Sequence, residues 1–224
     1  MISYGTMNNT ALVIGGTGLV GSNLIEVLLG DGRFNKVISF GRRATGLGHM
    51  KLEEHIIDFD KPEEWAHLVK GDVLFSTLGT TLKKAGSKAA QYKIDYTYQY
   101  EMANIAAQNG VDEYVLVSAA FSSLNSKVFY SRMKAELERD VKKLPFKRIR
   151  IMRPGMLMGD RQPPKPGEEF VALIMGMIAA IPGLKRFRPI HAKTVAQAMA
   201  FASFDTTPGI KEYTLEDIFK RARI

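Results

Sequence analysis

The sequence predicts an α/β fold: a doubly wound parallel sheet in a single domain spanning residues 1–224. Short β-branched runs alternate with helix-period stretches along most of the chain. The runs are continuously apolar rather than alternating, as strands covered on both faces are. A cluster of glycines follows the first of them directly.

In order, strands are expected at Ala11–Ile14, Val37–Phe40, His55–Ile57, Val73–Ser76, Tyr114–Ser118 and Arg148–Met152. Helices are expected at Leu19–Leu29, Glu63–Val69, Ser87–Gln108 and near Lys127–Lys143. After Arg153-Pro154 the composition changes to a Pro-rich loop (QPPKPGEE), a Met-rich stretch from Phe170 to Ile181, and helical patterns near Lys193–Phe204 and Thr214–Ala222. That is too little chain for a second core. Residues 155–224 read as a small C-terminal substrate cap over the carboxyl edge of the sheet, where open α/β sheets bind ligands.

The first strand runs into TALVIGGTGLVG, with glycines at 15, 16, 18 and 21 and an apolar helix behind them. A bare glycine triplet is weak, since chance supplies one about 0.2 times in a chain with this much glycine. Between a strand and a helix it gains meaning, because the turn lets backbone approach a pyrophosphate while the helix start offers free N–H groups. The plain alternative is tight strand–helix packing. The second strand ends in Gly41-Arg42-Arg43, with no carboxylate to meet an adenosine ribose and two guanidiniums suited to a phosphate. NADP(H) is therefore expected rather than NAD(H), against the alternative of a solvated basic turn. Asp58, with Phe59 beside it after the third strand, and Leu78-Gly79-Thr80 after the fourth are position-based candidates for the adenine and nicotinamide ends.

FYSRMK places Tyr130 four residues before Lys134, a spacing that chance yields about 0.6 times in this composition. On a helical wheel Tyr130, Met133, Lys134, Leu137 and Val141 share one arc, the width of a buried stripe. Lysine is seldom buried without a partner. An ammonium beside a phenol favours the phenolate, which makes Tyr130 a candidate acid–base group near neutral pH. Both side chains could instead snorkel from a helix edge.

Together, GGTGLVG, LGT, a serine ending strand five (VLVS, Ser118), YSRMK and RPG resemble the short-chain dehydrogenase/reductase superfamily of Rossmann folds. Through GRR, DFDK, LGTT with KAG, RPGML and DRQ the chain looks most similar to the atypical branch containing the Tat-interacting tumour-suppressor oxidoreductase. The resemblance implies a dinucleotide bound by Gly15, Gly16, Thr17, Gly18, Leu19 and Val20, with its adenosine phosphate on Arg42 and Arg43. Its nicotinamide end would meet Leu78, Gly79, Tyr130 and Lys134, backed by Pro154, Gly155, Met156 and Leu157. It also implies a catalytic set of Tyr130 as proton donor, Lys134 on the ribose hydroxyls, and Ser118 polarising a carbonyl. Ser122 or Ser123 are alternatives to Ser118, and Asn104 is a weak counterpart of the asparagine that many members use.

Composition closes off other classes. There is no cysteine, so disulfides, thiolate metal sites and thiol catalysis are excluded, no metal site is expected, and a reducing cytoplasmic setting is the expectation. The start, MISYGTMNNT, reads as no export signal, and the longest apolar run is shorter than the ~18 residues of a membrane span. The net charge of +8 is scattered in pairs without a nucleic-acid-binding motif, so no nucleic acid is expected as partner. The resulting expectation is an NADP(H)-dependent carbonyl reductase or alcohol dehydrogenase acting on a small or medium apolar compound. The rival is an NADPH-binding redox-sensing regulatory or interaction protein with little turnover. A homodimer through the helices near Ser87–Gln108 and Lys127–Lys143 is open, since the tyrosines at 92, 96, 98 and 100 could equally pack within one chain.

Overall fold

The computed structural model describes residues 9–158 and 189–222. Seven strands among these form one parallel sheet: β1 (Asn9–Ile14), β2 (Phe34–Gly41), β3 (Leu52–Ile56), β4 (Val73–Ser76), β5 (Glu113–Val117), β6 (Arg148–Arg153) and β9 (Gly209–Thr214). Their spatial order is β3-β2-β1-β4-β5-β6-β9. The order reverses between β1 and β4, and every described pairing in the sheet is parallel. A two-residue ladder joins β7 (Leu157–Met158) to β8 (Ile190–His191).

Alternate residues of the buried strands feed two cores, as a period of two requires. Ala11, Val13, Val37, Val73, Phe75, Val115 and Met152 point to one face, against α1 (Leu19–Gly30) and the late helix α7 (Ala192–Ala202). Leu12, Ile14, Ile38, Phe40, Leu74, Leu116 and Ile151 point to the other, against α5 (Tyr98–Gln108) and α6 (Phe129–Val141). This is the doubly wound α/β sheet that the strand–helix alternation predicts. The described part of the 155–224 stretch is woven into the same body: β9 extends the sheet beyond β6, α7 packs on α1, and α8 (Leu215–Arg221) buries Ile218 in the first core. The Pro-rich loop and the Met-rich stretch lie outside the described residues.

Two helices differ from expectation. The stretch Glu63–Val69 is a single turn, α2 (Pro62–Trp65), followed by a 3₁₀ turn, because Trp65 anchors it by donating from Nε1 to the Asp58 carbonyl at 2.8 Å. The run Ser87–Gln108 is interrupted. After the one-turn α3 (Leu82–Ala85) it forms α4 (Lys88–Tyr92), a π turn (Lys93–Thr97), and then α5. Asp95, in the π turn, lies four residues from the buried Gln91 and Gln99 and is fully buried with them.

Candidate active site

The glycine turn leaves β1 at the point where the sheet order reverses, the place where open α/β sheets bind ligands. Gly15 sits at φ +82°, and a Cβ there would lie 2.6 Å from the Leu78 amide nitrogen. A Cβ on Gly21 would strike the Gly15 carbonyl oxygen. Both positions thus require glycine for local geometry, in the conformation and the close approach that only glycine supplies. α1 starts at a Gly18 N-cap without a side-chain cap, and its first backbone bond runs from the Ser22 amide to the Gly18 carbonyl at 3.0 Å. The amides of Leu19, Val20 and Gly21 precede that first bond, and no acidic side chain occupies the first turn. This cradle fits an anionic diphosphate.

Arg42 and Arg43 are exposed, and among the described residues neither makes an ion pair. Asp58 is exposed and accepts from the Asp60 amide at 3.0 Å, while Phe59 is buried and stacks on Tyr98 with centroids 5.0 Å apart. Phe59 is core. The loop after β4 is close to the glycine turn: Thr77 donates from Oγ1 to the Ile14 carbonyl at 2.7 Å. Beyond it, Leu78, Gly79 and Thr80 pass over the π turn, and the Thr80 amide donates to Asp95 Oδ1 at 2.7 Å.

α6 brings the expected pair to the same edge. Met133, Lys134, Leu137 and Val141 are buried as the wheel predicts. Tyr130, in the first turn of the helix, is 41% exposed. The Lys134 ammonium lies 6.0 Å from the centre of the Tyr130 ring and, among the described residues, makes no hydrogen bond or ion pair. Ser118 is buried too, but its hydroxyl donates to Glu138, one turn beyond Lys134. Ser122 donates to the same Glu138 oxygen at 2.7 Å, and Arg153 closes on both carboxylate oxygens and on Glu212 at 2.7 Å. Burial raises the Glu138 pKa, and hydrogen bonds from Arg153, Ser118 and Ser122 outweigh it, so the carboxyl stays below its ordinary value.

Ser123 is exposed, with its amide 3.3 Å from the Ser131 carbonyl. The Ala120 amide bonds the Pro154 carbonyl at 2.9 Å, which holds the Pro154–Leu157 segment beside the β5–α6 loop. Gly155 is half-buried there, and Met156 and Leu157 are exposed. Asn104 pairs with Gln108 at 3.5 Å on an exposed part of α5, away from this edge. The four tyrosines pack within the chain: Tyr92, Tyr96 and Tyr100 stack in series, and Tyr92 and Tyr96 donate to Glu136 and Asp140 of α6. Asp95 and Glu138 are the residues that sequence reasoning missed. Each is a carboxylate within a helical run, and a one-turn displacement or a π insertion decides whether such a group faces water or protein.

Fold and glycine turn together define the class: a doubly wound α/β fold of the Rossmann type, with a glycine turn at its switch point. More narrowly, the chain belongs to the HIM1 family, whose model matches residues 47–180. It is 36% identical over 212 residues to the mitochondrial protein fmp52-1 of Aspergillus oryzae, covering 91% of this chain and 89% of that one. It is 32% identical to the rat protein HTATIP2, covering 76% and 72%. A short-chain dehydrogenase/reductase superfamily protein from Agrobacterium tumefaciens with bound NAD superposes with a TM-score of 0.70 at 14% identity, covering 92% of this chain and 77% of that one.

Two expectations are corrected by these likenesses. The solved neighbours whose bound dinucleotide is named carry NAD, against the expected preference for NADP(H). At the β2 turn Arg42 and Arg43 are solvated and pair with no described neighbour, so residue type alone carried the expectation of a 2′-phosphate. The cytoplasmic expectation falls to relatives named as mitochondrial. Absence of cysteine removes disulfides but does not distinguish one reducing compartment from another. Among the described residues no helix is long and apolar enough to cross a membrane.

Proposed function

We propose that this chain is an NAD(H)-dependent oxidoreductase, interconverting a small or medium apolar carbonyl compound and its alcohol, in a mitochondrial setting like that of its named relatives. The observation that carries this reading is the placement of Lys134, a buried lysine side chain whose ammonium has no hydrogen-bond partner among the described residues, beside a phenol that faces solvent at the ligand-binding edge. A lysine buried merely for packing would be a poor choice.

The Gly15–Gly21 turn and the free amides of α1 would hold the diphosphate, with Gly79 and Lys134 at the nicotinamide end and Pro154–Leu157 behind it. When bound, the nicotinamide supplies or accepts the hydride. Tyr130 gives its phenolic proton to the carbonyl oxygen, and takes it back in the oxidative direction. Lys134 favours the phenolate that remains and offers N–H donors to ribose hydroxyls. Glu138 is ionised and can only accept, so Ser118 and Ser122 both spend their hydrogens on it and turn lone pairs to the site. Tyr130, unlike Ser118 and Ser122, donates to no described residue and keeps its hydrogen for the substrate.

The test is a panel of aldehydes, ketones and quinones assayed for NADH consumption. Tyr130→Phe should lower turnover by about 10²–10⁴-fold with NADH affinity nearly unchanged. Turnover retained in Tyr130→Phe removes the tyrosine from its role. NADH binding with no turnover across the panel would favour a dinucleotide-sensing regulator.

A further inference from the structure

We infer that Glu54 of β3 selects the dinucleotide at its adenosine end, accepting from the ribose hydroxyls of NAD(H) and repelling the 2′-phosphate of NADP(H); the inference rests on the oxidoreductase reading above and adds the residue that sets its cofactor. The end of β2 carries no carboxylate of its own, where this fold ordinarily places the ribose acceptor. The neighbouring strand supplies one. Glu54 stands opposite Ser39 in the parallel β2–β3 pairing, near the carboxyl end of β3. Leu52, two residues earlier and so on the same face as Glu54, packs against the core under α1, as Val37 does two residues before Ser39. Glu54 and Ser39 therefore share the face on which the glycine turn enters its helix.

Distances bring this carboxylate to the turn itself. A Cβ on Gly16 would lie 2.8 Å from Ser39 Oγ and 3.5 Å from Thr45 Cγ2, so the chain that leaves β2 through Arg42 and Arg43 folds back beside the glycines. Glu54 holds it there: Oε1 accepts the Thr45 amide at 2.7 Å, and Thr45 Oγ1 accepts the Leu47 amide at 3.2 Å. Among the described residues Oε2 takes no hydrogen bond and Glu54 makes no ion pair, and the side chain is half-buried rather than sealed. Neighbouring acids do not serve. Glu53 alternates to the opposite face and pairs with Lys36 at 2.6 Å and His55 at 2.8 Å. Asp58 lies beyond the end of β3, exposed, and accepts from the Asp60 amide at 3.0 Å. A carboxylate with a free oxygen can take ribose hydroxyls, whereas a phosphate in the same place would meet a like charge. Arg42 and Arg43 would attract that phosphate, so Glu54 acts against them.

The test is binding, without turnover. NADH and NADPH are titrated by their own fluorescence into the native chain and into Glu54→Gln, which keeps an acceptor for the Thr45 amide and removes the charge. The native chain should favour NADH by about tenfold or more, and in Glu54→Gln NADPH should gain until the two affinities differ by less than about threefold. A native preference for NADPH, or a ratio that Glu54→Gln leaves unchanged, overturns the inference. Should Glu54→Gln fail to fold, the native chain decides through displacement of bound NADH by 5′-AMP and by 2′-deoxy-5′-AMP. The deoxynucleotide should be weaker by about tenfold, and equal displacement overturns the inference. If neither dinucleotide binds the native chain, the oxidoreductase reading falls with it; if NADH binds and the ratio does not move, Glu54 alone loses its role and the Tyr130→Phe assay still stands.

Discussion

The two ends of β5 each bury a glutamate against arginine, and the two carboxylates end up on opposite sides of their ordinary pKa. At the amino end, Glu113 receives one hydrogen bond, from Arg148 Nε at 3.0 Å, while Arg150 Nε stays 3.8 Å away and Glu113 Oε1 is unpartnered. Burial wins, and the Glu113 pKa is pushed up to about 7, with Arg148 and Arg150 only partly opposing it. At the carboxyl end, Glu138 receives hydrogens from Ser118, Ser122 and the Nε and Nη2 of Arg153. Hydrogen bonds win. Proximity of opposite charge is the same in kind at both ends; the number of aimed donors decides which buried acid stays ionised.

The largest effect should come from breaking the well-donated end. Arg153→Met leaves Glu138, whose side chain is 3% exposed, with serine hydroxyls alone. Removing one partner of a buried ion pair costs about 3–5 kcal/mol, and urea unfolding should show it. A loss under about 1 kcal/mol would mean that the pair behaves as a surface pair. The sign with pH is also fixed. Glu138 has a folded pKa below its ordinary 4.5, so its stabilisation is complete above that value and fades as pH falls through the folded pKa.

At the other end the sign reverses. The Glu113 pKa rises from 4.5 to about 7, so the folded protein holds a proton that the unfolded chain releases across this window. Its contribution is greatest below pH 4.5 and is lost as pH climbs toward 7, by about 3 kcal/mol at most for a shift of this size. Glu113→Gln keeps an oxygen for Arg148 and carries no proton to lose. Comparing urea midpoints across that pH range should show a shallower decline in Glu113→Gln than in the native chain; identical slopes would break the contrast between the two ends.

Why one of these clusters was legible and the other was not comes down to what local pattern encodes. The glycine turn could be read because strand, turn and helix are contiguous, and the inward placement of Lys134 because Met133, Leu137 and Val141 mark its arc. A parallel sheet covered on both faces followed from the alternation of strands and helices. Glu138 could not be read, since its partners come from the loop after β5 and from β6, brought to α6 only by the crossovers. Asp95 was hidden for another reason: its partners are Gln91 and Gln99 of the same run and the Thr80 amide of the loop after β4, and nothing in residue type says that a lone aspartate in a tyrosine-rich helical stretch is held there. The arginine rule at the β2 turn rested on residue type alone, and the solved neighbours whose dinucleotide is named carry NAD.

The smallest stability effect is expected at Tyr130, and its smallness is informative. Glu138 sits two turns further along the same helix and is saturated. Tyr130 is 41% exposed, with no described hydrogen bond to its hydroxyl. Deleting that oxygen removes no partner among the described residues, so Tyr130→Phe should change unfolding free energy by less than about 0.5 kcal/mol. Set against a turnover loss of about 10²–10⁴-fold, this separates a group kept for chemistry from one kept for structure. A stability loss above about 1 kcal/mol would show that the hydroxyl is held in the fold after all, and would move Tyr130 into the class that Glu138 occupies.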